Sequence, residues 1–228
     1  FEAVKTGRDD VALLAFTSGT TGMPKATMHF HRDILLMADG YAREVLKIEP
    51  KDVIVGSPPL AFTFGLGGLA VFPLRFGATA TLIETATPPN LVKYIDAYRA
   101  TIVFTAPTAY RVLLGALKDG ADFSSLRLAV SAGETLPKPV YDDWIEKTGV
   151  EILDSMGSTE MIHVFITSRI GESQGGVTGT QALTISPNTF TLTVTPNPVN
   201  LPVGATQPLQ VIGSFANGTS TDQTANAT

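Results

Sequence analysis

The order of strand-like and helix-like runs constrains the fold of this chain more than any other feature. Six apolar runs, VALLAF at 11–16, DVIVGS at 52–57, ATATLI at 78–83, TIVFTA at 101–106, LRLAVSA at 126–132 and VEILDS at 150–155, have the look of strands. Segments of helical character at 31–47, 88–99, 107–118 and 137–148 separate them. Strand and helix in alternation predict an α/β fold, a mixed and largely parallel sheet with helices on both faces. Pro107 and Pro137 stand where a first helical turn tolerates a missing N–H.

The composition changes near the end of this pattern. Arg169 is the last basic residue, and from about Thr180 onward Thr, Pro, Asn, Val and Gly dominate. Short period-two runs there, such as Phe190, Leu192, Val194 and Leu209, Val211, lie between Pro or Gly turns and predict a small all-β segment. The polar, glycine-rich junction SRIGESQGGVTGT divides the chain into an α/β part at 1–175 and a β part at 180–228.

Charge and cysteine content exclude some functions. A formal net charge of −5 opposes any general attraction to nucleic acid or an anionic membrane, although local anion sites are compatible with it. No cysteine is present, so there is no disulfide, thiolate nucleophile or Cys-based zinc site, which fits a reducing compartment and a cytoplasmic ligase part. The stretch 53–74 carries no charged residue and has the length of a membrane span. Its Pro and Gly residues instead divide it into a strand, a loop and a helix.

The stretch AFTSGTTGMPKATMHFHRD at 15–33 carries the most chemistry. Gly19 and Gly22 permit a tight turn with N–H groups facing one side, Thr17, Ser18, Thr20 and Thr21 add hydroxyls, and Lys25 adds a mobile positive charge. Such a loop can wrap a polyphosphate. Its spacing is not that of the Walker loop, and ATMHF alternates like a strand, so the loop is expected to join two strands. From residue types alone an ordinary polar hairpin stays open. His29 and His31 stand close together, but with no third ligand in sight a metal site there is not expected.

TSGTTGMPK at 17–25 resembles, at every position, the phosphate loop of the AMP-forming adenylating enzymes, which include acyl-CoA and aryl-CoA ligases. The resemblance implies that Thr17, Ser18, Gly19, Thr20, Thr21, Gly22 and Lys25 close over the β- and γ-phosphates of ATP. SAGETLP at 131–137 and DSMGSTEM at 154–161 resemble further motifs of that family. They imply an adenine contact by Gly133, Glu134, Thr135, Asp154, Ser155 and Met156. They also imply that Thr159 reaches the α-phosphate and Glu160 holds Mg2+, so that Lys25, Thr159 and Glu160 are the catalytic candidates. Hard carboxylate oxygen suits magnesium beside phosphate. Met156 stands where many members have an aromatic ring, so the adenine contact is thioether in character.

LAFTFGLGG at 60–68, with MHFHRDIL, FTAPTAYRVLL and STEMIHVF, is similar to segments of benzoate- and 2-aminobenzoate-CoA ligases. This implies an acyl pocket built from Thr63, Phe64, Gly65, His163 and Val164, a flat apolar slot with one polar fixing point for a small aromatic carboxylate. Plain core packing is the competing reading of the Phe residues, and a satisfied, non-catalytic histidine that of His163. The implied reaction makes an acyl-adenylate from ATP and the acid, then a thioester with coenzyme A. The resemblance covers about 1–180 and includes neither the family's ribose-holding Asp, nor its hinge, nor its C-terminal catalytic Lys. Weak nucleotide binding at best and negligible turnover are therefore expected.

From about Ala182 the chain resembles the bacterial Ig-like group 2 module of surface and adhesin proteins, resting on VTP, LPVGATQPL and ANGTSTDQT, without that module's last strands. An incomplete module would leave exposed β edges for association. The alternative function is therefore a surface Ig-like binding protein, or a chimera, in which the ligase part is a relic.

Overall fold

The computed structural model describes residues 2–17 and 25–173, together with the backbone of three strands further along. Strands β1 (Val11–Thr17) and β2 (Lys25–Phe30) form an antiparallel hairpin of their own. The main sheet takes β3 (Val53–Gly56), β4 (Thr79–Thr81), β5 (Ile102–Thr105), β6 (Leu128–Ala132), β7 (Ile152–Gly157) and β8 (Val164–Thr167) in the order β4-β3-β5-β6-β7-β8. All neighbours are parallel except β7 and β8. The helices are α1 (His31–Met37), which runs into a π-helical segment Ala38–Val45; α2 (Thr63–Leu66), followed by a π segment Gly67–Val71 and α3 (Phe72–Phe76); α4 (Pro88–Ala97); α5 (Pro107–Lys118); and α6 (Lys138–Thr148).

Side chains alternate across a strand, so a strand buried on both sides must be apolar at consecutive positions. Val55, Val103, Ala129 and Ile152 turn to one face, beneath Leu91 and Ile95 of α4, Tyr110 and Leu113 of α5 and Trp144 of α6. Ile54, Ile102, Phe104, Leu128, Val130 and Leu153 turn to the other, beneath Met37, Tyr41, Ala42, Leu69 and Phe72. The chain leaves β3 in one direction along the sheet and then travels the opposite way from β4 to β7. A fixed crossover hand sends those two journeys over opposite faces, which accounts for the division of the helices.

The N-terminal ends of the strands are locked by charge. Asp52 is fully buried and accepts from Arg127 Nε at 2.8 Å and Nη2 at 2.7 Å, from the Thr101 hydroxyl at 2.7 Å and from the Glu49 N–H at 2.8 Å. Arg127 also donates to the carbonyls of Leu46 and Lys47. Burial alone would raise the Asp52 carboxyl, but these donors outweigh it and hold it below the usual carboxylate range.

Some details differ from expectation. The run at 11–16 lies outside the parallel sheet because its partner returns antiparallel straight after the loop, and the unforeseen β8 supplies the sixth strand. ATATLI shortens to three residues. Pro107 is in a first turn, but Pro137 is the extended N-cap of α6 and Pro139 occupies the turn. The uncharged stretch at 53–74 divides into β3, a loop and short helical pieces, and among the described residues no helix is long and apolar enough to cross a membrane. Strands β9 (Phe190–Thr195), β10 (Gln210–Phe215) and β11 (Ser220–Asp222) form an antiparallel sheet in the order β11-β10-β9. Most of the expected junction, Leu209 and the rest of the Ig-like resemblance lie outside the described residues.

Replacing Arg127 with Met leaves the Asp52 charge buried without its main partner. Denaturant unfolding should show a loss of roughly 3 kcal/mol, the low end for a broken buried pair because Arg127 is one-third exposed. A loss below 1 kcal/mol would show that the lock contributes little.

Candidate active site

In an open parallel sheet, loops that leave the C-terminal ends of the strands form the ligand crevice. Ser57 and Thr105 follow or end the adjacent strands β3 and β5, with their hydroxyls 2.6 Å apart. The connections that leave these two strands pass over opposite faces, so a crevice opens between them. Beyond β6, Gly133 takes φ +93°, a left-handed conformation that suits glycine, and starts an exposed turn through Glu134 and Thr135. The register ends at Ala132↔Ser155, one residue before Gly133 and before Met156, whose side chain is exposed.

The two remaining adenine candidates lie within β7. Asp154 and Ser155 are buried, and Ser155 shares its hydroxyl with Thr167 Oγ1 at 2.8 Å and Tyr41 OH at 3.3 Å. Burial pushes the Tyr41 phenol up to about 12, with Ser155 and Thr167 partly offsetting it. Tyr41 therefore stays neutral, and its hydroxyl belongs to the packing beneath the crevice.

Between β7 and β8 the chain makes a tight turn that carries Thr159 and Glu160. Ile162 N–H donates to Thr159 O at 3.2 Å, Ser158 N–H to His163 O at 3.3 Å and Met161 N–H to Ser158 Oγ at 3.2 Å. Ile162 sits at φ +63° although it is β-branched, a strained conformation that persists only where its surroundings fix it. Its side chain is buried in the core, which supplies that constraint. Glu160 is exposed. Among the described residues no three His, Asp or Glu side chains cluster as a metal site, so a divalent ion at Glu160 would take its remaining ligands from phosphate and water, the usual arrangement for magnesium.

Of the acyl-pocket candidates, Phe64 and His163 meet. His163 lies between the rings of Tyr41, Phe64, Phe72 and Phe104, with centroids 4.8–6.4 Å away. Its Nε2–H donates to Phe64 O at 3.1 Å, since a carbonyl can only accept. Burial pushes the imidazole down to about 4, against the pull of that carbonyl, so it is neutral at pH 7. Thr63 and the half-buried Phe64 begin α2, Gly65 is buried behind them, and Val164 is buried at the start of β8. Gly67 lies so close to the histidine that a Cβ would stand 2.3 Å from His163 Cδ2.

Thr17 and Lys25 are paired at the loop end of the β1–β2 hairpin, Thr17 half-buried and Lys25 exposed. Ser18, Gly19, Thr20, Thr21 and Gly22 lie outside the described residues. Sequence reasoning assigns no role to Tyr41, Gly67 or Phe104, and considers His29 only as a metal ligand. For His29 a signal was available: it alternates with Lys25 and Thr27, so all three share one strand face.

The chain matches the AMP-binding enzyme family over residues 1–191. It is 40% identical over 183 residues to benzoate-CoA ligase of Thauera aromatica, covering 78% of this chain and 34% of that protein. It is 35% identical over 167 residues to anthranilate-CoA ligase of Pseudomonas aeruginosa, covering 73% and 32%. Its fold is similar to an anthranilate CoA ligase solved with anthranoyl-AMP, with TM-score 0.77 and 34% identity over 96% of this chain and 43% of the other. A benzoate CoA ligase from Burkholderia xenovorans gives TM-score 0.73 and 30% identity over 95% and 44%. The chain thus spans about a third of the length of the sequence relatives it matches.

The unfolded chain binds a proton at His163 near 6.5 and the folded chain only near 4. Stability should therefore be complete above pH 6.5 and fall by about 3 kcal/mol as pH drops towards 4. His163→Leu should lack this slope in pH-dependent unfolding; a slope equal to that of the unaltered chain would overturn the neutral assignment.

Proposed function

We propose that this chain, which belongs to the AMP-binding enzyme family, supplies the sites for ATP and a small aromatic carboxylate of an aryl-acid CoA ligase, whose reaction has two halves. In the first, a carboxylate oxygen attacks the α-phosphorus of ATP and pyrophosphate leaves. In the second, the thiol of coenzyme A attacks the acyl carbonyl and AMP leaves.

The observation that carries this reading is a meeting at one sheet edge. The turn at 133–135, Met156 and the turn with Thr159 and Glu160 all leave the C-terminal ends of β6 and β7, while Phe64 and His163 meet across the chain beside them. Adenine would lie between the exposed 133–135 turn and the Met156 thioether. The Thr159 hydroxyl and the Lys25 ammonium would donate to phosphate oxygens as charge shifts onto the leaving pyrophosphate. Glu160 would hold Mg2+, which when bound neutralises phosphate charge. For the acid, the edge of Phe64 and the wall at Val164 supply flat apolar surface, and neutral His163 keeps a charged group out of that wall. The relatives named for benzoate and anthranilate support an aromatic acid of this size.

Titration calorimetry with ATP and Mg2+ tests the reading. Saturable binding should weaken about tenfold or more in Lys25→Ala and in Glu160→Ala, as expected when a charge-assisted contact is lost. Binding that is absent, or unchanged in both variants, would overturn it.

A further inference from the structure

The hairpin that carries Lys25 and the turn that carries Glu160 belong to different sheets, yet a single buried side chain joins them. His29 of β2 is almost fully buried, and its Nε2 lies 2.8 Å from Thr159 O and 3.1 Å from Thr27 Oγ1. The Thr27 hydroxyl donates to Ala15 O of β1 at 3.0 Å, so its oxygen is left as an acceptor. A carbonyl also can only accept. Both partners therefore require the proton on His29 Nε2, which a neutral Nε2–H tautomer and an imidazolium both supply. The resulting chain runs from β1 through Thr27 and His29 to the backbone of the Glu160 turn, across 130 positions of sequence.

We propose that His29 is a positioning residue whose Nε2–H, bonded to the Thr159 carbonyl, holds the strand of Lys25 in register with the turn of Thr159 and Glu160. This rests on the nucleotide reading for its consequence, though not for its geometry. Lys25, Thr27 and His29 lie on one face of β2, and four residues of strand put Lys25 about 13 Å along from the bond. The turn at the other end contains strained Ile162, whose buried side chain fixes one side of it and leaves the Thr159 side to a second hold. Thr159 O is where that hold is applied, shared between Ile162 N–H and His29. A polyphosphate chain that reaches from Glu160 to Lys25 would then meet two groups at a fixed separation.

His29→Leu removes the donor, whereas His29→Gln keeps an N–H at comparable reach. In the full chain without nucleotide, amide exchange at 25–30 and 159–163 should speed up together by about tenfold in His29→Leu and return towards the original rate in His29→Gln. Calorimetry should show ATP–Mg2+ binding weakened about tenfold in His29→Leu, with AMP, which lacks the outer phosphates, changed less than threefold; Gln should restore it. Equal loss for ATP and AMP, or failure of Gln to restore both exchange and binding, would overturn the proposal. If the unaltered chain binds neither nucleotide, the nucleotide reading falls, and unchanged exchange in His29→Leu would then overturn the tie itself.

Discussion

Two-sided burial of the parallel strands is the constraint on which the other features rest. Val103 and Ala129 face one helical layer while Phe104 and Val130, one position on, face the other, so neither strand can slip by a residue without exchanging its cores. Fixed register carries to the strand ends. Because Val130 pairs with Leu153 and Ala132 with Ser155, the turn after β6 and the turn after β7 emerge side by side. The site is thus an outcome of packing several residues below it.

The sheet's two ends have different chemistry. At the N-terminal ends a buried carboxylate is answered by a guanidinium, a hydroxyl and an N–H, an arrangement that fixes geometry and leaves nothing for a ligand. At the C-terminal ends the polar groups include hydroxyls, exposed backbone turns and the exposed carboxylates of Glu134 and Glu160. Those groups can be re-partnered at low cost, which is what a substrate requires of the surface that receives it.

Much of this architecture was legible in the sequence. The alternation of apolar runs with helical segments announced the parallel sheet, and the turn-like stretch SAGETLP next to a strand announced where one of its loops would leave. The short strand β8 was not legible, because VFIT has four residues and reads as readily as the end of a pocket segment. Pro137 was placed in the first turn of its helix but is its N-cap, since a second proline two residues later takes the first turn. Phe64 and His163 could be linked to an acid pocket only through resemblance. Their direct bond joins residues 99 apart, and no local pattern encodes a contact of that range. His29 was weighed as a metal ligand and set aside, whereas its partner is a backbone carbonyl, a class of contact that leaves no mark on side-chain spacing.

The close approach of Gly67 to His163 carries a further consequence for how such a pocket can diversify. The imidazole fills the volume that any side chain at 67 would need, and the glycine leaves that volume free at the start of its helical segment. The two positions act as one piece of shape divided between distant parts of the chain. Exchange of the segment at 60–68 between relatives would transplant half of that piece, and the incoming half would either collide with the ring or leave a gap beside it. The shape at this place is therefore indivisible: residues 67 and 163 change as a couple or stay as they are.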